Sequence, residues 1–238
     1  MRNKVIFLLA IVMVIAATSC QQNGAVKNVK LETAIDSASY AIGILVGSNN
    51  KQQLANAPGG EDMNIEAMSA AFRAISLGEE TPITEEEANT IIRNYFQAEG
   101  NKEAQVNLEK GNAFLEKNKA REGVVTTESG LQYEILKEGN GPKPNADDQV
   151  KVNYHGTLID GTVFDSSVDR GEPVTFGVSQ VIPGWTEALK LMPVGSKWKL
   201  YIPANLAYGE RGAGSDIGPN ETLIFEVELL DIVNDDSK

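Results

Sequence analysis

Near Val124 the apolar residues of this chain change their period, and that change constrains the fold more than any other feature. Before it they recur at helical spacing, with Ile65, Met68, Phe72 and Ile75 at i, i+3, i+7 and i+10. After it they alternate. Val150, Val152 and Tyr154 are interleaved with Lys151, Asn153 and His155, and Leu223, Phe225, Val227 and Leu229 with Ile224, Glu226, Glu228 and Leu230. Leu131, Tyr133 and Ile135 repeat the pattern. A period of two puts one face of a strand on a core and the other toward water, the mark of antiparallel sheet. Pro183, followed by Trp185, Ala188, Leu189 and Met192, marks one short amphipathic helix that Pro193-Val194-Gly195 ends. The expected class is α+β, with a C-terminal antiparallel twisted sheet wrapped on one short helix over residues 142–233. An all-α region over 31–121 precedes it, 122–141 serve as lead-in strand and linker, and 234–238 form a tail.

The helical half carries local start and stop signals. Ile35, Tyr40, Ile44 and Leu45 fall near helical spacing; Asn64 can cap a second helix and Gly78 can end it. Thr84-Glu85-Glu86-Glu87 is a capping box that places three carboxylates at the positive end of a third helix. Nothing stops that helix before Lys117, Lys119, Arg121 and Gly123, which makes it a connecting rod of roughly 54 Å. From Gln97 to Asn112 it is polar except for Val106 and Leu108, the composition of a solvent-bridging spacer. Gly100 and Gly111 each cost it about 1 kcal/mol relative to Ala and are expected to let it bend. Three short helices bury little by themselves, and Gly43 and Gly47 would allow another helix close approach, so a homodimer joined through these helices is expected.

The N-terminal segment is a targeting signal by its pattern. Arg2 and Lys4 precede an apolar run from Val5 to Ala17, shorter than the about 20 residues a membrane helix needs. Residues 1–19 are expected to be a signal peptide. Ala17-Thr18-Ser19-Cys20 resembles the lipobox of bacterial lipoproteins, which makes the single cysteine, Cys20, the expected lipidation site and residues 20–30 a tether. Such a protein would sit in the bacterial cell envelope, attached by its lipid to the outer membrane and facing the periplasm.

Charge and composition exclude several functions. The formal net charge is −12, and loss of Arg2 and Lys4 with the signal would make it more negative, which argues against nucleic acid as a partner. With one histidine, His155, and one cysteine, the usual zinc constellations cannot be built. No glycine-rich phosphate loop ending in Lys-Ser or Lys-Thr is present.

Six colinear blocks in the C-terminal half resemble the FKBP-type peptidyl-prolyl isomerases. They are Val152-Asn153-Tyr154-His155-Gly156; Gly161-Thr162-Val163-Phe164-Asp165-Ser166-Ser167 with Arg170 following; Val181-Ile182-Pro183-Gly184-Trp185; Met192-Pro193-Val194-Gly195-Ser196-Lys197; Ile202 to Gly209; and Ile217 to Leu230. The resemblance implies an FKBP-like fold and a proline pocket lined by Tyr154, Phe164, Val181, Ile182, Trp185, Tyr208 and Phe225, with Trp185 as its floor. It implies polar contacts from Asp165 and Tyr208, with Asp165 ordering Tyr208, a substrate carbonyl held by the Ile182 N–H, and Ile217 overhanging from a loop. Arg170 and Val174 fall among the substrate-binding positions. Val174 and Ala213 stand where small single-domain members often carry an aromatic and a histidine, so a less aromatic rim is expected. Helices, one long helix and then this domain are similar in order to the macrophage infectivity potentiator class of envelope isomerases, V-shaped dimers joined through their N-terminal helices.

The implied reaction is rotation about X–Pro amides of unfolded or proline-containing exported polypeptides. It needs no cofactor, because the barrier of about 18 to 20 kcal/mol comes from resonance in the C–N bond. The alternative is a non-catalytic envelope chaperone or scaffold that keeps the fold; intact pocket aromatics favour the enzyme. The pocket is expected to lie wholly within 142–233, leaving the helical half relevant only to large clients.

Overall fold

The computed structural model describes residues 29–233. The expected signal peptide, Cys20, most of the tether and the tail lie outside these residues. The chain divides into two units, one ending at Asn49 and one beginning at Asn50.

The first helix, α1 (Ala34–Ala55), opens on a reciprocal cap in which the Asp36 carboxylate accepts from the Thr33 N–H at 2.9 Å and Asp36 N–H donates to the Thr33 hydroxyl at 3.1 Å. None of its side chains is buried. In the unit from Asn50, α2 (Ile65–Leu77) is capped by the Asn64 carboxamide, which accepts from Ala67 N–H, and ends on Gly78 at φ 70°. The third helix, α3 (Glu85–Asn118), begins with the complete Thr84–Glu87 capping box. The ends at Asn64, Gly78 and Thr84 stand where the sequence placed them, because a cap is set by residues a few positions apart.

The C-terminal sheet has the strand order β1 (Val124–Thr126), β2 (Gln132–Lys137), β6 (Lys197–Ile202), β7 (Leu223–Val233), β3 (Gln149–Leu158), β4 (Val163–Ser166), with β5 (Val174–Gly177) also on β3. Every pairing is antiparallel. A one-turn helix, α4 (Ser167–Arg170), follows β4, and α5 (Pro183–Leu191) starts with Pro183 in its first turn. Trp185, Ala188 and Leu189 of α5 share one core with Val150, Val152, Leu200, Leu223, Val227 and Leu229, so the strands alternate and wrap on one helix as expected. The lead-in stretch supplies β1 and β2, which makes it part of the sheet.

The spacer reading of α3 is corrected. Asn107, Gly111, Leu115 and Asn118 are buried at intervals of four, four and three, a single stripe of the helix. At its end Asn118 Nδ2 donates to Gln132 Oε1 at 2.9 Å, and Gln132 Nε2 donates to the Leu115 carbonyl at 3.0 Å. Arg121 donates to the Tyr201 hydroxyl at 2.8 Å and to Glu134 at 3.0 Å, and Phe114 packs on Tyr201 with ring centroids 5.9 Å apart. The stripe is mostly amide and glycine, so hydropathy does not reveal it. Gln132 is buried beside Leu131 for the same reason, breaking the alternation of β2. The helix runs unbroken past Gly100 and Gly111. A Cβ on Gly111 would overlap the Thr222 hydroxyl and lie 3.2 Å from its Cβ, so glycine there permits docking.

Candidate active site

A cavity of about 670 Å³ opens among α5, the ends of β3, β4, β5 and β7, and the loop after Tyr208. Trp185 stands in the first turn of α5, directed into the core by the helix start that Pro183 fixes, and is only 4% exposed. Three rings meet its indole nearly at right angles: Tyr154 at 5.4 Å and 84°, Phe176 at 5.9 Å and 84°, and Phe225 at 5.1 Å and 82°. Phe164 meets Phe225 in the same way at 5.3 Å and 83°. Edge-to-face contacts of this kind are the favoured aromatic geometry, and here they make a floor with upright walls. Gly156 lets the walls close, since a Cβ there would come within 2.8 Å of both the Phe164 and the Phe225 ring.

The polar side of the cavity is a closed cluster. Tyr154 Oη donates to Asp165 Oδ2 at 2.6 Å and accepts from Arg170 Nη2 at 2.8 Å, while Arg170 Nη1 pairs with Asp165 Oδ1. Burial opposes charge on Asp165, yet the hydrogen bonds from Tyr154 and Arg170 outweigh it and hold the carboxyl below its usual range. Burial first, and then the Asp165 acceptor, push the Tyr154 phenol above its ordinary value. The expectation that Asp165 orders Tyr208 is corrected: its partners are Tyr154 and Arg170, and Tyr208 stands at the mouth, 41% exposed.

Ile182 caps α5. Its carbonyl accepts from Trp185 N–H at 2.9 Å and Thr186 N–H at 3.1 Å, while among the described residues its own N–H meets no acceptor. One free donor beside an apolar aromatic floor suits a ligand that presents a small apolar ring next to a carbonyl.

Of the residues named from sequence, Tyr154, Phe164, Asp165, Val181, Ile182, Trp185, Tyr208, Ile217 and Phe225 line this cavity. Arg170 lies behind the lining, bound to Tyr154 and Asp165. Val174 is corrected: it pairs with Val152 across β5 and β3, packs on the core and is absent from the lining. The aromatic that β5 contributes is Phe176, two residues on and so on the same face. Extending the alternation Val174-Thr175-Phe176 would have found it. Phe176 thus adds a wall to the cavity that the sequence reading did not name. Ala213, Gly214, Asp216 and Ile217 roof the cavity from the loop, whose tip is closed by reciprocal Ala213–Ile217 backbone bonds of 2.8 and 3.2 Å.

An antiparallel sheet wrapped on one helix, with an indole-floored cavity at the start of that helix, defines a class of isomerase domain, and comparison with known proteins agrees. Residues 141–230 match the family model described as FKBP-type peptidyl-prolyl cis-trans isomerase. Residues 35–135 match the domain amino terminal to FKBP-type peptidyl-prolyl isomerase. The chain is 47% identical over 209 residues to the outer membrane protein MIP of Legionella longbeachae, covering 85% of this chain and 87% of that protein. It is 48% identical over 199 residues to the FKBP-type 22 kDa peptidyl-prolyl cis-trans isomerase of Escherichia coli, covering 82% and 94%. Among solved structures, the crystal structure of FkpA from Escherichia coli matches with a TM-score of 0.66 at 36% identity, over 85% of this chain and 98% of that one. This chain belongs to the FKBP-type peptidyl-prolyl cis/trans isomerases, and carries that family's amino-terminal helical domain as well as its catalytic one.

Proposed function

We propose that the indole-floored cavity is where X–Pro bonds of exported polypeptides are isomerised, by a lipid-anchored homodimer at the outer membrane. The observation that carries the site is the Trp185 indole with three rings upright on it beside the unpaired Ile182 N–H. A prolyl ring on that floor places its preceding carbonyl near Ile182. The planar amide is the more dipolar form of the bond, so a site that excludes water disfavours it relative to the twisted form, in which resonance is lost. Tighter binding of the twisted form lowers the barrier, with each 1.36 kcal/mol worth about tenfold in rate. No proton moves. Asp165, already engaged by Tyr154 and Arg170, holds Tyr154 upright and has no acid or base role.

The anchoring rests on the signal-like segment ending at Cys20 and on the similarity to the outer membrane protein MIP of Legionella longbeachae. Pairing rests on the apolar side chains that the helices leave exposed: Ile35, Ile42 and Leu45 on α1, Phe72 and Ile75 on α2, Ile91 and Ile92 on α3. Apolar surface on this scale marks an interaction site, and a second copy of the same helices would cover it. The site is tested by a coupled assay on the full chain with a short X–Pro peptide; turnover is expected, and a folded chain without turnover contradicts the site. Fatty-acid labelling tests the anchor, with label expected on wild type and retention by Cys20→Ser contradicting it.

A further inference from the structure

The loop that roofs the cavity is held from behind by α3. Gly214 and Ile217 line the cavity on one side and, on the other, a second groove of about 710 Å³ that includes Glu99, Lys102, Glu103 and Val106 of the helix. The loop is therefore a thin partition, and whatever fixes its outer side fixes its inner side. Asn107 Nδ2 donates to the Pro219 carbonyl at 3.0 Å, and Asn220 Nδ2 donates to the Ala104 carbonyl at 3.3 Å. Asn220 N–H in turn donates to the Gly209 carbonyl at 2.8 Å, which ties the two ends of the loop together. Asn220 sits at φ 56°, the one non-glycine residue in the left-handed region among those described, a conformation that persists where surroundings enforce it. One turn along α3, Gly111 packs on Thr222 with no room for a side chain. Asn107 is 9% exposed, and a carboxamide so buried keeps its place through its partner. The same stripe of α3 is locked to the sheet at Asn118 and Gln132, so the helix is a fixed backing for the loop.

We infer that Asn107 and Gly111 of α3 are positioning residues for the prolyl site: they set how Ile217 overhangs the cavity, and so which residue beside the proline is accepted. This rests on the cavity being the isomerase site. Ile217 is 8% exposed and lines the cavity from the roof, so that a proline held on the floor would bring its flanking side chain beneath it. A helix outside the catalytic domain thereby controls substrate choice within it.

The test uses the full chain with Ala-Pro and Leu-Pro peptides. Asn107→Ala, through loss of one net hydrogen bond, and Gly111→Ala, through the overlap of its Cβ with Thr222, are expected to raise KM for the Leu-Pro peptide by about threefold to tenfold, with kcat within twofold and the Ala-Pro peptide little changed. Thr222→Ala added to Gly111→Ala removes the hydroxyl that a new Cβ strikes, and is expected to restore at least half of the loss. Should Gly111→Ala fail to fold, Asn107→Ala alone decides. Unchanged Leu-Pro to Ala-Pro selectivity in the folded variants, or an equal fall for both peptides, overturns the inference. So does a Gly111→Ala defect that Thr222→Ala leaves untouched. An inactive wild-type chain overturns the site assignment and this inference together, whereas an active one with unaltered selectivity in the variants overturns only the inference.

Discussion

At Asp165 both oxygens are engaged, one by Tyr154 and one by Arg170, and the same triad uses the Tyr154 hydroxyl as donor and acceptor. The pH response follows. The carboxyl of Asp165 is held below its ordinary 3.8, so its favourable contribution is complete above that value and is lost only as pH falls through the lower folded one. The Tyr154 phenol is raised above 10.0, so its contribution is complete below that value and is lost as pH rises through the higher folded one. Peptide turnover is accordingly expected to be flat between about pH 5 and 9, where neither group titrates. A kcat/KM profile with a limb near neutrality would contradict a mechanism without proton transfer. Ile182 offers a second test at this scale, because its φ of −57° is one proline adopts. Ile182→Pro deletes the free N–H, and Ile182→Ala removes only the side chain. Turnover of Ile182→Pro is expected to fall about fivefold or more below that of Ile182→Ala, consistent with one net hydrogen bond; equal rates would remove the N–H from the mechanism.

Among elements, α3 and β2 depend on each other. A chain begun at Val124 keeps every cavity-lining side chain but loses Leu115, the Asn118 and Gln132 bonds, and the support behind the roof. The catalytic half is expected to be about 4 kcal/mol or more less stable than in the full chain, from one buried leucine and the six hydrogen bonds that Ala104, Asn107, Leu115, Asn118 and Arg121 make to it. Urea denaturation of both reads this, and equal midpoints would mean that α3 contributes nothing. The sequence was silent on this dependence for a physical reason. Capping at Asn64 and Thr84, the alternation of β3 and β7 and the Pro183 helix start are local, and each was legible in a few consecutive residues. The α3 stripe docks through Asn107, Gly111 and Asn118, whose residue types read as solvated, and only the positions of Gln132, Pro219 and Thr222 in space reveal their partners. The choice of Tyr154 over Tyr208 as partner of Asp165 is likewise a matter of three-dimensional reach. Phe176 is within reach of the pattern, two residues along the strand that Val174 opens.

For the whole molecule, the exposed apolar side chains of the helical half and the cavity of the catalytic half suggest a division of labour. Two copies joined through α1 and α2 would present two prolyl sites to one unfolded client, and linkage of that kind raises avidity by roughly 10² to 10⁴ without new contacts. Light scattering of the mature chain is expected to give twice the monomer mass, and Phe72→Asp with Ile75→Asp to halve it; a monomeric wild type would contradict pairing through α1 and α2. Everything else depends on the floor of the cavity. Trp185→Leu keeps that position apolar while removing the surface on which Tyr154, Phe176 and Phe225 stand. The most direct measurement is two-dimensional NMR exchange between the cis and trans forms of an Ala-Pro peptide in the presence of catalytic amounts of full-length protein. Exchange cross-peaks are expected with wild type and a loss of more than tenfold in exchange rate with folded Trp185→Leu. Undiminished exchange in that variant, or none with wild type, would contradict the assignment of this cavity as the isomerase site.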